Sequence, residues 1–192
     1  MIFTPAQLRD AAIIDIEPRG DERGFLARVY CEQEFAAHGL PTRFVQASTI
    51  HTPQRDTLRG LHFQEAPHAE DKLVRCTRGA VWVVMVDLRP ESPTHLRWQG
   101  VELTADNRRS LLVPKGFAQG YQTLVDDCEV VYQMTHEYVP AAASGVRWDD
   151  PAFGIEWPDA GERFISERDQ AWPDHVPARA GQPARVAQPH AG

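Results

Sequence analysis

Arg59-Gly60-Leu61-His62-Phe63-Gln64, followed by Lys72 at the start of the next apolar run, sets an arginine, a histidine and a lysine into a stretch that otherwise alternates like β-strand. Together they supply an imidazole base, an ammonium able to stabilise an oxyanion and a guanidinium for an anion. That set suits abstraction of a proton beside a carbonyl on a phosphorylated substrate. Three positions apart, Arg59 and His62 face opposite sides of a regular strand, so Gly60 is expected to provide a bulge or close backbone approach that aims both at one site. The competing reading is a half-buried strand with incidental polar residues.

The elements that must position these groups read as short strands. Alternation and β-branched enrichment predict strands at 12–17, 25–31, 43–49, 57–63, 73–77, 80–88, 95–103, 110–113, 118–124 and 129–134, separated by Gly, Pro, Asp and Asn clusters. Many short strands at such spacing mean an all-β sandwich or barrel of jelly-roll type. One helix is expected at 32–38, ahead of Gly39, and a short helical turn after Pro140. Residues 140–172 are expected to be irregular and anchored on the barrel by Trp148, Phe153, Trp157 and Phe164. From Pro173 onward the composition turns to Pro, Ala, Arg, Gln and Gly, which predicts one domain over 1–172 and a flexible tail over 173–192.

With 192 residues the chain is long enough to bury a full core in one domain. A formal charge of -7 argues against a nucleic-acid or membrane-surface partner but leaves room for a local basic pocket. No apolar run is long enough for a membrane span, and the first residues lack the pattern of a signal peptide. Cys31, Cys76 and Cys128 are widely spaced within strand-like sequence, as buried free thiols would be, and a reducing cytoplasm fits them.

A small barrel with a histidine strand and a Pro-x-Gly turn resembles the cupins, whose metal-binding members carry His-x-His on a strand and a third histidine after the turn. Here the first pattern reads His62-Phe63-Gln64 and the second Pro114-Lys115-Gly116-Phe117-Ala118-Gln119. Glutamine is a poor ligand for a transition metal, so a metal-free barrel with no cofactor is expected, with His62 free to act as a base.

From about residue 10 to residue 173 the chain resembles the dTDP-4-dehydrorhamnose 3,5-epimerase family of metal-free cupins. The likeness rests on the order and spacing of Gly20-Asp21-Glu22-Arg23-Gly24-Phe25, Phe44-Val45-Gln46, Leu58 to Gln64, Lys72-Leu73-Val74-Arg75-Cys76, Val86 to Thr94, Pro114 to Ala118 and Gly154-Ile155-Glu156-Trp157-Pro158. It implies a cupin-type jelly roll with short peripheral helices, usually a homodimer whose N-terminal strands pair with the partner. It also implies an isomerase that inverts the carbons flanking the C4 ketone of a nucleotide-linked 4-keto-6-deoxysugar. By the same resemblance His62 is the base, Asp169 its orienting carboxylate, Lys72 the enolate stabiliser and Tyr132 the acid on the opposite face. Arg23, Gln46, Arg59 and Arg168 match positions that hold the nucleotide diphosphate, with Arg23 expected to reach the partner's site.

The chain departs from the family pattern at Ala47 and Ser48, at Arg28 and Ala143 where relatives carry glutamate, and at Gln119 in place of histidine. Arg28, Ser48 and Gln119 are therefore substrate-binding candidates that differ, which implies retained epimerase chemistry on an altered sugar or carrier, at one carbon or two. Thymidine diphosphate is the expected carrier, with GDP and CDP as rivals. The alternatives are a sugar-nucleotide ketoisomerase, a metal-dependent cupin enzyme and a non-catalytic nucleotide-sugar-binding barrel.

Overall fold

The computed structural model describes residues 1–175; the expected tail, apart from 173–175, lies outside the described residues. In chain order the strands are β1 (Ile2–Pro5), β2 (Ala12–Asp15), β3 (Arg19–Asp21), β4 (Gly24–Leu26), β5 (Gln46–Thr52), β6 (Thr57–Gln64), β7 (Lys72–Arg78), β8 (Ala80–Asp87), β9 (Trp98–Thr104), β10 (Ser110–Val113), β11 (Phe117–Thr123), β12 (Cys128–Met134), β13 (Ala143–Gly145) and β14 (Phe164–Ile165). The helices α1 (Glu32–Ala37) and α2 (Glu167–Gln170) and a 3-10 turn at Pro140–Ala142 complete the fold.

Two sheets face each other. One runs β1-β2-β10-β7-β12-β5; the other runs β13-β6-β11-β8-β9, with β14 added beside β6. Their inner faces meet in a core of Val74, Cys76, Val81, Val83, Met85, Val101, Leu103, Leu111, Val113, Phe117, Cys128 and Val130. Cys76 and Cys128 are both free and buried, and burial pushes the Cys76 thiol up to about 11. The outer face of the first sheet is covered by α1, whose Phe35 packs among Ala12, Ile14, Leu73 and Leu112. The outer face of the second is covered by the 146–157 segment through Val146, Phe153, Ile155 and Trp157. Covering on both faces explains the near-continuous apolar run of β8. Among the described residues no helix is long and apolar enough to cross a membrane.

The expected strands appear with shifted ends. The strand expected at 25–31 shrinks to β4, and the one expected at 43–49 begins at Gln46, because Phe44 turns into the aromatic cluster of Tyr30 and Phe35 instead of entering the sheet. Residues 140–172 hold more order than expected: β13 and β14 close the free edge of β6, and Trp172 packs against Gly145. Phe164 is 46% exposed and anchors nothing, whereas Trp157 donates to the Trp148 carbonyl at 2.9 Å.

Asp87, fully buried at the end of β8, accepts from Arg89 Nε (2.9 Å), Thr94 (2.6 Å) and Ser92 (2.5 Å), and Arg89 continues to Asp10. Burial alone would push this carboxyl up; the guanidinium, the hydroxyls and the Arg89 amide outweigh it and hold it below its usual value. A depressed carboxyl contributes its stabilisation fully above the unfolded aspartate range, about pH 4, and loses it as pH falls further. Thermal melts should therefore show a lower Tm at pH 3 than at pH 7, and Asp87→Asn should lower the pH 7 value and narrow the gap.

Candidate active site

A cavity of about 320 Å³ is lined by β5, β7 and β12 of the first sheet and by β6 and β11 of the second. The first sheet contributes Ile50, Lys72, Val74, Val130, Tyr132 and Met134. These are alternate residues of β5, β7 and β12, so the period of two sends them all to one face. The register seats Tyr132 opposite Val74 and Met134 opposite Lys72, which makes Lys72 and Tyr132 diagonal neighbours on that face.

The second sheet contributes Arg59 and His62, and the break in alternation expected at Gly60 is present. Gln119 pairs with His62 and Tyr121 with Arg59, so Gly60 and Leu61 on β6 together oppose Gly120 alone on β11. This bulge rotates the strand, and both polar side chains reach the cavity. Gly60 adopts φ +125, and a Cβ there would lie 2.6 Å from the Gly120 Cα. Gly120 is equally confined, its own Cβ falling 2.5 Å from the Arg59 carbonyl oxygen. Two glycines back to back are what the bend requires.

Asp169 arrives from the far end of the chain. The parallel pairing of β14 with Thr57 and Leu58 lays the C-terminal segment along β6, and Ser166 caps α2 by accepting from the Asp169 amide at 3.2 Å. The Asp169 carboxylate, 4% exposed, then lies behind the histidine, with Oδ1 2.6 Å from His62 Nε2 and Oδ2 accepting from the Gly60 amide at 3.1 Å. Burial pushes this carboxyl up, but the His62 hydrogen bond and charge, the Gly60 amide and Ser166 together hold it below its ordinary value. An ionised carboxylate only accepts, so the neutral form of the His62 ring carries its proton on Nε2 and its lone pair on Nδ1. That tautomer offers Nδ1 as a proton acceptor.

Lys72 is fixed from two sides. Its Nζ forms an ion pair with Glu70 at 3.0 Å and donates to the His62 carbonyl at 3.2 Å. Arg59 Nε donates to Thr52 Oγ1 at 3.2 Å, and Thr52 shares a 3.3 Å hydrogen bond with the buried Tyr121 hydroxyl. Arg168 lies over the Trp172 ring, 5.5 Å from its centroid.

Seven of the expected site residues line this one cavity: His62, Lys72, Tyr132, Asp169, Arg59, Gln119 and Arg168. Ala143, standing where relatives carry glutamate, lines it too. The other four do not. Gln46 and Ser48 pair with Met134 and Tyr132 and so share their face, but they lie beyond the lining residues, and Gln46 Oε1 is taken by the Tyr138 amide at 2.8 Å. Arg23 sits on the exposed β3–β4 hairpin, paired with Asp21, and Arg28 pairs with Glu34 of α1 at 2.7 Å. Both guanidinium groups are held by local carboxylates outside the cavity.

Glu70, Gln64, Tyr121 and Tyr138 line the cavity without having been expected there. Glu70 and Gln64 were legible by spacing, each two positions from an expected catalytic residue; Tyr138 follows the end of β12, where no periodicity marks it. Among the described residues, no group of three His, Cys, Asp or Glu side chains stands close enough to hold a metal ion.

Comparison with known proteins gives the cavity a context. The chain is 41% identical over 174 residues to the dTDP-4-dehydrorhamnose 3,5-epimerase of Salmonella typhimurium, covering 90% of this chain and 94% of that one. Its fold superposes on the Bacillus anthracis dTDP-4-dehydrorhamnose 3,5-epimerase crystallised with TDP and PPi, with a TM-score of 0.87 at 38% identity over 91% of this chain and 99% of that one. It also matches ChmJ, a 3'-monoepimerase from Streptomyces bikiniensis in complex with dTDP-quinovose, with a TM-score of 0.82 at 32% identity over 88% and 86% of the two chains. The family model described as dTDP-4-dehydrorhamnose 3,5-epimerase matches residues 5–175, nearly everything the structure describes. With sequence, fold and cavity in agreement, this chain belongs to the dTDP-4-dehydrorhamnose 3,5-epimerase family.

Proposed function

We propose that the chain is an epimerase of a dTDP-linked 4-keto-6-deoxysugar, inverting carbon adjacent to the C4 ketone with no cofactor. One observation carries this: His62, Lys72 and Tyr132 line a single cavity, with Asp169 fixed behind the histidine. In the reaction His62 Nδ1 takes the proton from the carbon next to the ketone, and the C–H electrons move into an enolate whose negative oxygen faces the Lys72 ammonium. Tyr132 then gives its phenolic proton to the opposite face of that carbon, the enolate collapses to the ketone, the phenolate recovers a proton from solvent, and His62 releases to solvent the one it took. The oxygen needs the ammonium because an enolate in a low-dielectric cavity has no water to share its charge. Arg59 and Arg168 flank the cavity as cations for the diphosphate.

Relatives that bind TDP and dTDP-quinovose support the choice of carrier. A homodimer completes the proposal. The β3–β4 hairpin projects Phe25 and Leu26, 48% and 78% exposed, and carries Arg23 away from the chain's own cavity, consistent with delivery to a second copy.

Incubation with dTDP-4-keto-6-deoxyglucose in heavy water, with GDP- and CDP-linked analogues alongside, tests the reading by NMR at C3 and C5. Deuterium uptake with inversion supports it; a product with its carbonyl moved would make the chain a ketoisomerase. Tyr132→Phe should lower inversion by about 100-fold while His62-driven exchange on the original face persists. Inversion at the parent rate in that variant would remove Tyr132 from the acid role.

A further inference from the structure

Glu70 is a carboxylate in the cavity wall, 6% exposed, to which the proposed reaction assigns nothing. Its Oε1 pairs with the Lys72 Nζ at 3.0 Å, and its Oε2 accepts from Gln64 Nε2 at 3.2 Å. Gln64 is itself immobilised: Nε2 also donates to the carbonyls of His68 at 3.0 Å and Glu137 at 3.1 Å, and Oε1 accepts from the Val139 amide at 2.6 Å. The carboxylate therefore rests on a post tied to β6, to the loop before β7 and to the segment after β12. With the His62 carbonyl at 3.2 Å as second partner, the ammonium is held between two protein acceptors. An ammonium has three donors, so one N–H remains for a ligand oxygen.

We propose that Glu70 is a positioning residue that fixes the Lys72 ammonium where the enolate oxygen forms. A lysine side chain has a long, freely rotating stem, and a donor stabilises an oxyanion only if it already stands within about 3 Å of the place the charge will occupy. Asp169 aims the base; Glu70 aims the cation. The cavity thus contains two carboxylates, each behind one reacting group, and neither needs to touch the substrate. Gln64 Nε2 has three acceptors for two hydrogens, so its contact with Glu70 is dispensable. An amide oxygen at position 70 can therefore replace the carboxylate toward Lys72.

This inference rests on the epimerase reading, and the wild-type chain is the control that separates the two. Turnover and C3/C5 deuterium exchange are measured with dTDP-4-keto-6-deoxyglucose for wild type, Glu70→Ala, Glu70→Leu and Glu70→Gln. Ala and Leu should each lose about 10- to 100-fold in kcat with KM within about threefold, since misplacing a reacting group by about 1 Å costs that much. Gln should keep kcat within about fivefold. Leu fills the space without offering an acceptor, so the Gln–Leu comparison decides the matter even if Ala fails to fold. An active wild type with Leu equal to Gln, or a loss confined to KM, overturns the part given to Glu70 alone. A wild type that neither exchanges nor inverts the sugar overturns the epimerase reading and this inference with it.

Discussion

His62→Ala should abolish deuterium uptake at both carbons flanking the ketone, a fall of about 10³-fold or to the uncatalysed rate, since a positioned general base contributes about 10²–10⁴. Nucleotide binding, measured by calorimetry with TDP, should survive, because the cations Arg59 and Arg168 are untouched. Undiminished exchange in this variant would give the base role to another group. Asp169→Asn is the sharper version. Oδ2 accepts from the Gly60 amide, so the asparagine must turn its carbonyl there and present its NH₂ to His62 Nε2. Nε2 then has to accept, the proton moves to Nδ1, and the nitrogen that should collect the substrate proton is already protonated. The same exchange behind the histidine of a serine-protease triad costs about 10⁴, and a loss of about 10³ is expected here with KM little changed. Retention of the parent kcat would show that the tautomer is not set by Asp169.

Gly60→Ala should be strongly destabilising for a single added methyl. The added carbon meets the Gly120 Cα at 2.6 Å and the Gln119 carbonyl oxygen at 3.1 Å, both backbone, and the residue must also keep φ +125. Nothing nearby is a side-chain tip that can swing aside. A cost of about 4 kcal/mol or more follows, large among point mutations, which in a domain of this size lowers Tm by roughly 8–16 °C. Gly161→Ala is the control: an added Cβ there meets nothing within 4 Å, and its effect should stay within about 0.5 kcal/mol. A Gly60→Ala protein melting with the parent would mean that the bulge tolerates a side chain. A folded Gly60→Ala protein should still be inactive, because flattening the bulge returns Arg59 and His62 to opposite faces.

The fold and half of the chemistry were legible because they obey the period of two. Lys72 and Tyr132 occupy alternate positions of regular strands, and Gly60 marks the break in alternation that lets Arg59 and His62 cooperate. Asp169 was not legible by any local rule: it lies on a four-residue helix, 107 positions from its partner, and only family resemblance pointed to it. β13 and β14 escaped for a related reason. Ala-Ser-Gly and Phe-Ile carry too little pattern to announce a strand, and they become strands only because β6 offers an unpaired edge. Arg28, a residue type suited to a diphosphate, is placed outside the cavity, where Glu34 pairs with it at 2.7 Å. Glu70 went unnoticed because the resemblance directs attention to groups that react, whereas this one faces a group that does.

The delivery of Asp169 by β14 and α2 gives this enzyme an order of assembly. As the polypeptide leaves the ribosome, twelve of the fourteen described strands, β1 to β12, precede residue 135, so most of the vessel can form while its histidine still lacks its carboxylate partner. Under the proposed mechanism, catalytic competence arrives only with the final turn of helix. A nascent or proteolytically shortened product ending before residue 164 would keep Arg59, His62, Lys72 and Tyr132 but lose Arg168 together with Asp169, so under the proposed mechanism it would hold a nucleotide sugar more weakly and leave it unchanged.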